Sequence, residues 1–113
     1  MANTLCDTEQ CPARLAQDLI AGKWKLDILW HLHRGTCRFG ELQKRLPAVT
    51  RGVLTQQLRE LERHGLVYRE VYKEVPPKVE YSLTDIGRSF MPIFKALGEW
   101  GKSYLDQTAK MGE

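Results

Sequence analysis

The sequence predicts a mainly α-helical protein with a small antiparallel β-hairpin, arranged as a winged helix-turn-helix. Two observations indicate this fold class. Apolar residues recur at helical spacing through most of the chain, and within residues 67–83 the period changes to two, as in paired strands. The predicted order is helix, helix, short helix, capped helix, hairpin and long terminal helix. The third and fourth helices form the helix-turn-helix, and the hairpin forms the wing.

Two predicted helices precede the helix-turn-helix. The first begins at Pro12, because proline suits the first helical position, and Gly22 follows its end. The second spans residues 23–33 and stops before Gly35. Each carries an apolar stripe on one side, as expected of a helix that packs on a core.

The predicted helix-turn-helix begins with a short helix over residues 40–46. Pro47 breaks this helix, and Thr50 supplies the N-cap of the next one, which continues to residue 64. Three leucines at helical spacing predict that one face of this second helix is buried: Leu54, Leu58 and Leu61.

The predicted wing consists of strands over residues 67–75 and 79–83, joined by a turn that contains two prolines. Thr84 then caps the last helical region. A break is expected in that region around residues 91–92, because Pro92 cannot continue the hydrogen-bond pattern of a preceding helix.

The length of 113 residues predicts one domain. We expect a flexible arm over residues 1–10, a winged-helix domain with dimerisation helices at both ends over residues 11–107, and a tail over residues 108–113. No apolar run reaches the roughly 20 residues of a membrane span, and the N-terminus lacks the pattern of a signal peptide. We therefore expect a cytoplasmic protein without a membrane partner.

The net charge of +3 is unevenly distributed along the chain. Residues 34–69 contain eight Lys and Arg but only three Glu, which gives +5 there and leaves −2 for the remainder. A basic region of this kind is typical of nucleic-acid binding proteins and predicts double-stranded DNA as a partner. The alternative is a basic, solvated face without a partner.

The exposed face of the Thr50-capped helix is the predicted DNA-reading surface. A major groove accepts one helix, in which Arg can bond guanine, Gln can bond adenine and Thr can contact a thymine methyl group. The free N–H groups at the start of the helix also suit a phosphate. The predicted recognition residues are Thr50, Arg51, Gly52, Thr55, Gln56 and Arg59. The alternative is an ordinary solvated helix face.

Four strings of the sequence permit comparison with known families. They are residues 22–24, residues 38–42, residues 54–61 and the specific string Val75-Pro76-Pro77-Lys78-Val79-Glu80-Tyr81-Ser82-Leu83-Thr84. Together they resemble the HxlR-type regulators, which are MarR-like winged-helix proteins of bacteria, over nearly the whole chain. The resemblance implies a homodimeric transcriptional regulator that binds an inverted-repeat operator, and we expect it to be a repressor.

The predicted wing supplies contacts to the DNA backbone. Pro76 and Pro77 stiffen its tip, so Lys73 and Lys78 are presented to phosphates with little ordering entropy. Arg38, just ahead of the short helix, is interpreted either as a further phosphate contact or as part of an internal ion pair.

The first and last helices are predicted to form a two-fold interface. The terminal helix carries more aromatic bulk than a small domain needs, and soluble monomers avoid large exposed apolar patches. The resemblance implies the same homodimer, with two recognition helices roughly 34 Å apart on DNA. The predicted interface residues are Leu15, Leu19, Phe90, Phe94, Leu97, Trp100 and Tyr104.

Cys11 is a candidate redox switch. It precedes Pro12 at a helix start, where the positive end of the helix dipole can stabilise a thiolate. The resemblance adds that some family members sense oxidants or electrophiles through a cysteine at this position, with Cys6 as a candidate resolving partner. The alternative is an inert thiol. Cys37 is expected to be a small buried residue.

The sequence predicts no catalytic, cofactor-binding or metal site. His31 and His33 point to different faces of their helix and have no third ligand at chelating spacing. Neither a nucleophile elbow nor a phosphate-binding glycine loop is present, which argues against an enzyme. The competing function is a winged-helix module that binds protein or acts architecturally, without sequence-specific DNA readout. The sequence identifies no small-molecule effector.

Overall fold

A computed structural model describes residues 11–111, so the predicted arm over residues 1–10 lies outside the described part of the chain. The elements in order are α1 (Pro12–Ile20), α2 (Lys25–His33), β1 (Cys37–Arg38), α3 (Phe39–Arg45), α4 (Arg51–Arg63), β2 (Val67–Tyr72), β3 (Lys78–Leu83), α5 (Asp85–Ser89) and α6 (Met91–Met111). The predicted winged helix-turn-helix is confirmed, with α3 and α4 as the helix-turn-helix and β2 and β3 as the wing. Helix α6 extends beyond residue 107, the predicted end of the domain.

The sheet has three strands in the order β1-β3-β2, with both pairings antiparallel. The sequence predicts a brief extended piece at residues 38–39 and a two-stranded hairpin. The observed β1 lies one residue earlier than that piece and pairs with β3 as a third strand. Tyr81 of β3 lies opposite Cys37 on one side and opposite Arg69 on the other. Strand β2 ends at Tyr72, earlier than predicted, because the paired residues stop before the prolines at the tip, which have no N–H to donate to a ladder.

The core is formed by α2, α3, α4 and the sheet. Its largest fully buried side chains include Ile28 and Leu29 of α2, Leu42 of α3 and Val67 of β2. The predicted leucine face of α4 is confirmed, since Leu54, Leu58 and Leu61 are all buried. Within residues 11–111, no helix is long and apolar enough to cross a membrane.

The residues after the wing hold α5 against the segment that follows α4. Thr84 accepts a hydrogen bond from the N–H of Gly87 at 3.0 Å and donates its hydroxyl hydrogen to the carbonyl of Gly65 at 2.6 Å. A Cβ atom at Gly87 would collide with the carbonyl oxygen of Leu66, so glycine is required there. The predicted break in the terminal helical region is observed between α5 and α6, at Phe90.

Candidate nucleic-acid interface

Helix α4 is anchored on its inner side by packing and by one ion pair. The Thr50 side chain accepts a hydrogen bond from the N–H of Val53 at 3.3 Å and so forms the predicted N-cap. The ammonium of Lys25, on α2, lies 2.6 Å from the carboxylate of Glu60, although the Lys25 side chain is only 3% exposed. A buried ammonium requires such a partner, so this pair fixes α4 against α2. The hydrogen bond from Lys25 lowers the pKa of the Glu60 carboxyl.

The outward face of α4 carries the predicted recognition residues. Arg51, Gly52, Gln56 and Arg59 are exposed, and Thr55 is half-buried. The hydroxyl of Thr55 donates to the carbonyl of Arg51 at 2.8 Å, so its only hydrogen is engaged within the helix. Thr55 therefore retains a methyl group and oxygen lone pairs for an external contact, but no free donor.

The first residue of α4 is also positioned by α3. The guanidinium carbon of Arg51 lies 4.8 Å from the centroid of the Phe39 ring, which is a cation–π contact. This contact links the start of α4 to the start of α3. It holds the guanidinium group near the positive end of α4, where both the charge and the free N–H groups favour an anion.

Arg59 and Thr55 face a cavity that sequence reasoning did not identify. The cavity has a volume of about 240 Å³ and lies between α4 and the wing strands. Its lining consists of Thr55, Arg59, Glu62, Arg69 and Tyr81. The period-two alternation of β2 gave the available indication, because it places Arg69 on the same face of the strand as the buried Val67. The docking of this face against α4 is a tertiary feature, which the alternation alone does not reveal.

The wing presents a smaller net charge than its lysines suggest. Lys78 forms an ion pair with Glu80 at 3.4 Å and lies 4.8 Å from the centroid of the Tyr72 ring. A hydrogen bond to Glu80 also raises the pKa of Tyr72. Lys73 is exposed, as are both prolines of the tip. Lys73 thus remains available to a phosphate, whereas Lys78 already has a partner.

Arg38 remains available to an external anion. Its backbone N–H donates to the side chain of Glu41 at 2.8 Å, which caps α3. Its own side chain is exposed and forms no ion pair with any residue in the range 11–111. Of the two alternatives for Arg38, the internal ion pair is therefore not formed within the described residues.

The first and last helices expose apolar side chains. Neither α1 nor α6 contains a buried residue. Trp100 is 71% exposed, and the structure leaves Leu15, Leu97 and Tyr104 exposed as well. Leu19 and Phe90 are instead half-buried against the core, and Phe94 stacks on Trp30 at a centroid distance of 5.5 Å. Several exposed apolar residues were not in the predicted interface: Trp30, Ile93 and Leu105.

The two described cysteines differ in environment. Cys11 is buried at the N-cap of α1 and is disulfide-bonded in this structure. Cys37 is a buried free thiol, as expected, and its sulfur accepts a hydrogen bond from Arg45 at 3.1 Å. Burial raises the pKa of Cys37, which keeps the thiol protonated and poorly reactive. Cys6, the candidate resolving partner, lies outside the described residues.

Residues 11–111 contain no group of three or more His, Cys, Asp or Glu side chains that could hold a metal ion. Among the described residues, α4 and its surroundings expose hydrogen-bond donors, and α6 exposes apolar rings.

Comparisons with known sequences match this chain to a family. A family model described as HxlR-like helix-turn-helix matches residues 19–109. The chain is also 50% identical over 105 residues to YdeP of Bacillus subtilis, an HTH-type transcriptional regulator. That match covers 93% of this chain and 82% of YdeP.

Comparisons with solved structures give the same result. The redox regulator HypR in its reduced form has a TM-score of 0.81 at 47% identity, covering 88% of this chain and 98% of that one. HypR has also been solved in its oxidised form, with a TM-score of 0.76 at 50% identity over 82% of this chain and 96% of that one. A transcriptional regulator of the MarR family from Enterococcus faecalis has a TM-score of 0.81 at 41% identity, covering 96% of this chain and 98% of that one.

Proposed function

The chain belongs to the HxlR-like helix-turn-helix family and is a transcriptional regulator of the helix-turn-helix type, and we propose that it binds an inverted-repeat operator as a homodimer and represses transcription. The observation that carries the proposal is that one small chain exposes two surfaces of different chemistry. Helix α4 exposes hydrogen-bond donors for DNA, while α6 exposes apolar rings for a second copy.

Base recognition is assigned to the N-terminal half of α4. Arg51 suits a guanine, which accepts two hydrogen bonds from one guanidinium, and Gln56 suits an adenine. Thr50 and Gly52 lie where the free N–H groups of the helix start can meet a phosphate. Each lost base contact is expected to weaken binding by about 1–3 kcal/mol and to relax specificity at that base.

Contacts to the DNA backbone are assigned to residues on both sides of α4. Arg38 precedes α3, and Lys73 lies on the wing behind a tip stiffened by Pro76 and Pro77. Lys78 contributes less than an unpaired lysine, because it is already paired with Glu80. These contacts position the chain and add salt dependence without reading sequence.

The homodimer is assigned to α1 and α6. Burying the exposed rings of α6 against a second copy would remove a large apolar surface from water, which is the main driving force for association. A two-fold axis would place two copies of α4 about one DNA turn apart, roughly 34 Å. A dimer bound at a promoter blocks access to that promoter, which is the basis for proposing a repressor. We propose that it acts in the cytoplasm.

Redox control is assigned to Cys11. Its sulfur is disulfide-bonded in this structure and lies at the start of α1, one of the two helices proposed to form the dimer. Oxidation or reduction there would alter the position of α1 and so the spacing of the two α4 helices. Reduction with dithiothreitol is expected to change operator affinity in the wild type, subsequent diamide oxidation to reverse that change, and neither treatment to affect the Cys11→Ser variant. Equal affinities of the reduced and reoxidised forms of both chains would leave the Cys11 disulfide without a regulatory role.

The main experiment uses a duplex selected from random DNA by the wild-type chain. Gln56→Ala is expected to lower affinity for this duplex by about 5–150-fold and to reduce discrimination against a scrambled duplex. Gln17→Ala makes the same chemical change on the exposed side of α1 and serves as the control. If no duplex is enriched, the chain is a winged-helix interaction module that does not read DNA. If a duplex is enriched but Gln56→Ala binds it as the wild type does, Gln56 is not a base contact.

A further inference from the structure

The cavity beside α4, which we name the wing cleft, is lined by Thr55, Arg59 and Glu62 of α4 and by Arg69 and Tyr81 of the wing strands. It brings together two arginines, Arg59 of α4 and Arg69 of β2, which lie ten residues apart in sequence. Two cations that face the same small space repel each other unless an anion lies between them. The cleft therefore has the composition of an anion site.

Within the described part of the chain, both arginines lack an ion-pair partner. Neither Arg59 nor Arg69 forms an ion pair with any residue between positions 11 and 111, even though Glu62 lines the same cleft. Glu70, the neighbour of Arg69, is engaged on the opposite face of β2, where it accepts a hydrogen bond from the hydroxyl of Tyr68 at 2.6 Å. Two arginines in one cleft thus retain their full donor capacity.

Strand geometry directs Arg69 into the cleft. Residues of a strand alternate between its two faces, so Arg69 shares a face with the buried Val67 and lies away from Tyr68 and Glu70. Tyr81 is directly opposite Arg69 in the register of β2 and β3. The sheet therefore holds a guanidinium and a phenol side by side, facing α4.

The position of the cleft identifies the anion. Arg59 lies eight residues after Arg51, which is about 12 Å along a helix and comparable to the width of the major groove, also about 12 Å. If the start of α4 enters the groove, a site about 12 Å further along the helix is within reach of a sugar–phosphate strand that borders the groove. Guanidinium groups bind phosphate oxygens in pairs, which suits a site with two arginines.

We propose that Arg59 and Arg69 together bind one phosphate of the DNA backbone in the wing cleft, with Tyr81 as a further hydrogen-bond donor. The inference rests on the proposed DNA-binding function and deepens it in two ways. It adds Arg69 and Tyr81 to the interface, and it moves Arg59 from the base-reading residues to the backbone-binding residues. Glu62 opposes the phosphate and limits the affinity of the site.

The test measures DNA affinity between 50 and 200 mM salt for the wild type, Arg59→Gln, Arg69→Gln and Glu62→Gln. Arg63→Gln removes the same charge from a neighbouring residue of α4 outside the cleft and is the control. Arg59→Gln and Arg69→Gln are each expected to lower affinity about tenfold for selected and scrambled duplexes alike, and to reduce the salt slope by about one. The double variant should lose little more than either single variant, because both arginines bind one phosphate. Glu62→Gln should raise affinity severalfold.

Three results would overturn the proposal. One is a loss in Arg69→Gln no larger than in Arg63→Gln. Another is a loss confined to the selected duplex, which would make Arg59 or Arg69 a base contact. The third is binding of inorganic phosphate to the DNA-free chain that Arg69→Gln abolishes while DNA affinity is unchanged, which would make the cleft a site for a free anion. Thermal melts of each variant check that the fold is retained.

Failure of this proposal can be distinguished from failure of the proposed function. If Gln56→Ala still lowers affinity for the selected duplex while Arg69→Gln behaves as Arg63→Gln does, DNA reading stands and only the cleft assignment fails. If the wild-type chain enriches no duplex from random DNA, the DNA-reading function itself fails.

Discussion

Helices α4 and α6 are both amphipathic, but they leave opposite chemistry exposed. Helix α4 buries three leucines in the core and turns its donors outward. Helix α6 is longer, contains no buried residue and turns Trp100, Tyr104 and Leu105 outward. The apolar face of α4 is therefore buried within the chain, whereas the apolar face of α6 is left exposed. One surface is therefore suited to a polyanion and the other to a second copy of the chain.

The largest effect that separates the two helices is expected in stability. Leu58 is 1% exposed in the core, so Leu58→Ala should lower the free energy of unfolding by about 2–5 kcal/mol. Leu105 is 70% exposed, so Leu105→Ala should change it by less than about 0.5 kcal/mol in chains dilute enough to be monomeric. Urea unfolding measures both values. Equal losses would show that Leu105 stabilises the single chain as much as Leu58 does. The two helices would then not differ in how far their apolar faces are packed.

A second prediction concerns association. Trp100→Asp places a charge in the centre of the apolar face of α6 and should raise the dimer dissociation constant at least about 30-fold, as expected for the loss of a hot-spot residue. Sedimentation equilibrium measures this constant. Lys102→Asp changes an exposed polar position of the same helix and is the control. The fold should be retained in both variants, because α6 has no buried residue. A Trp100→Asp chain that still dimerises like the wild type would place the interface elsewhere.

A smaller effect is expected from the ion pair that anchors α4. The folded-state pKa of Glu60 is lowered by Lys25, so this pair stabilises the fold above the ordinary carboxyl pKa of about 4.3. Its contribution is lost as the pH falls through the lowered pKa of the folded state. Lys25→Met keeps a long apolar stem but has no charge for Glu60 to pair with.

The measurement for this pair is a set of thermal melts from pH 7 to pH 2. The Tm of the wild type minus that of Lys25→Met should decrease as the pH falls through the acidic part of this range, and it should stay constant near neutrality. A difference that is independent of pH throughout would mean that the Lys25–Glu60 pair adds no electrostatic stability.

Much of the fold follows from local patterns in the sequence. The Thr50 cap, the leucine face of α4 and the change of period at the wing depend on neighbouring residues, so they were predictable. The third strand was not, because the two residues of β1 become a strand only by pairing with β3. The same holds for the Lys25–Glu60 pair, which joins side chains 35 residues apart.

The candidate site was also predictable only in part. Helical spacing identified the exposed face of α4, and Arg51 and Gln56 are indeed exposed. The wing cleft was missed, because Arg69 meets Arg59 only after the sheet docks against α4. The charge of the wing was overestimated as well. Lys78 and Glu80 are two apart along one strand and so lie on the same face, which made their pairing available from the period-two pattern although it was not predicted.

In the proposed complex, two chains joined through α6 read one duplex with two copies of α4. The most direct measurement is the mass of the complex that the wild type and Trp100→Asp form with the selected duplex, determined by light scattering at matched concentrations. We expect two chains per duplex for the wild type, and one chain per duplex with reduced affinity for Trp100→Asp. One chain per duplex in the wild type, at an affinity unaffected by Trp100→Asp, would contradict this expectation.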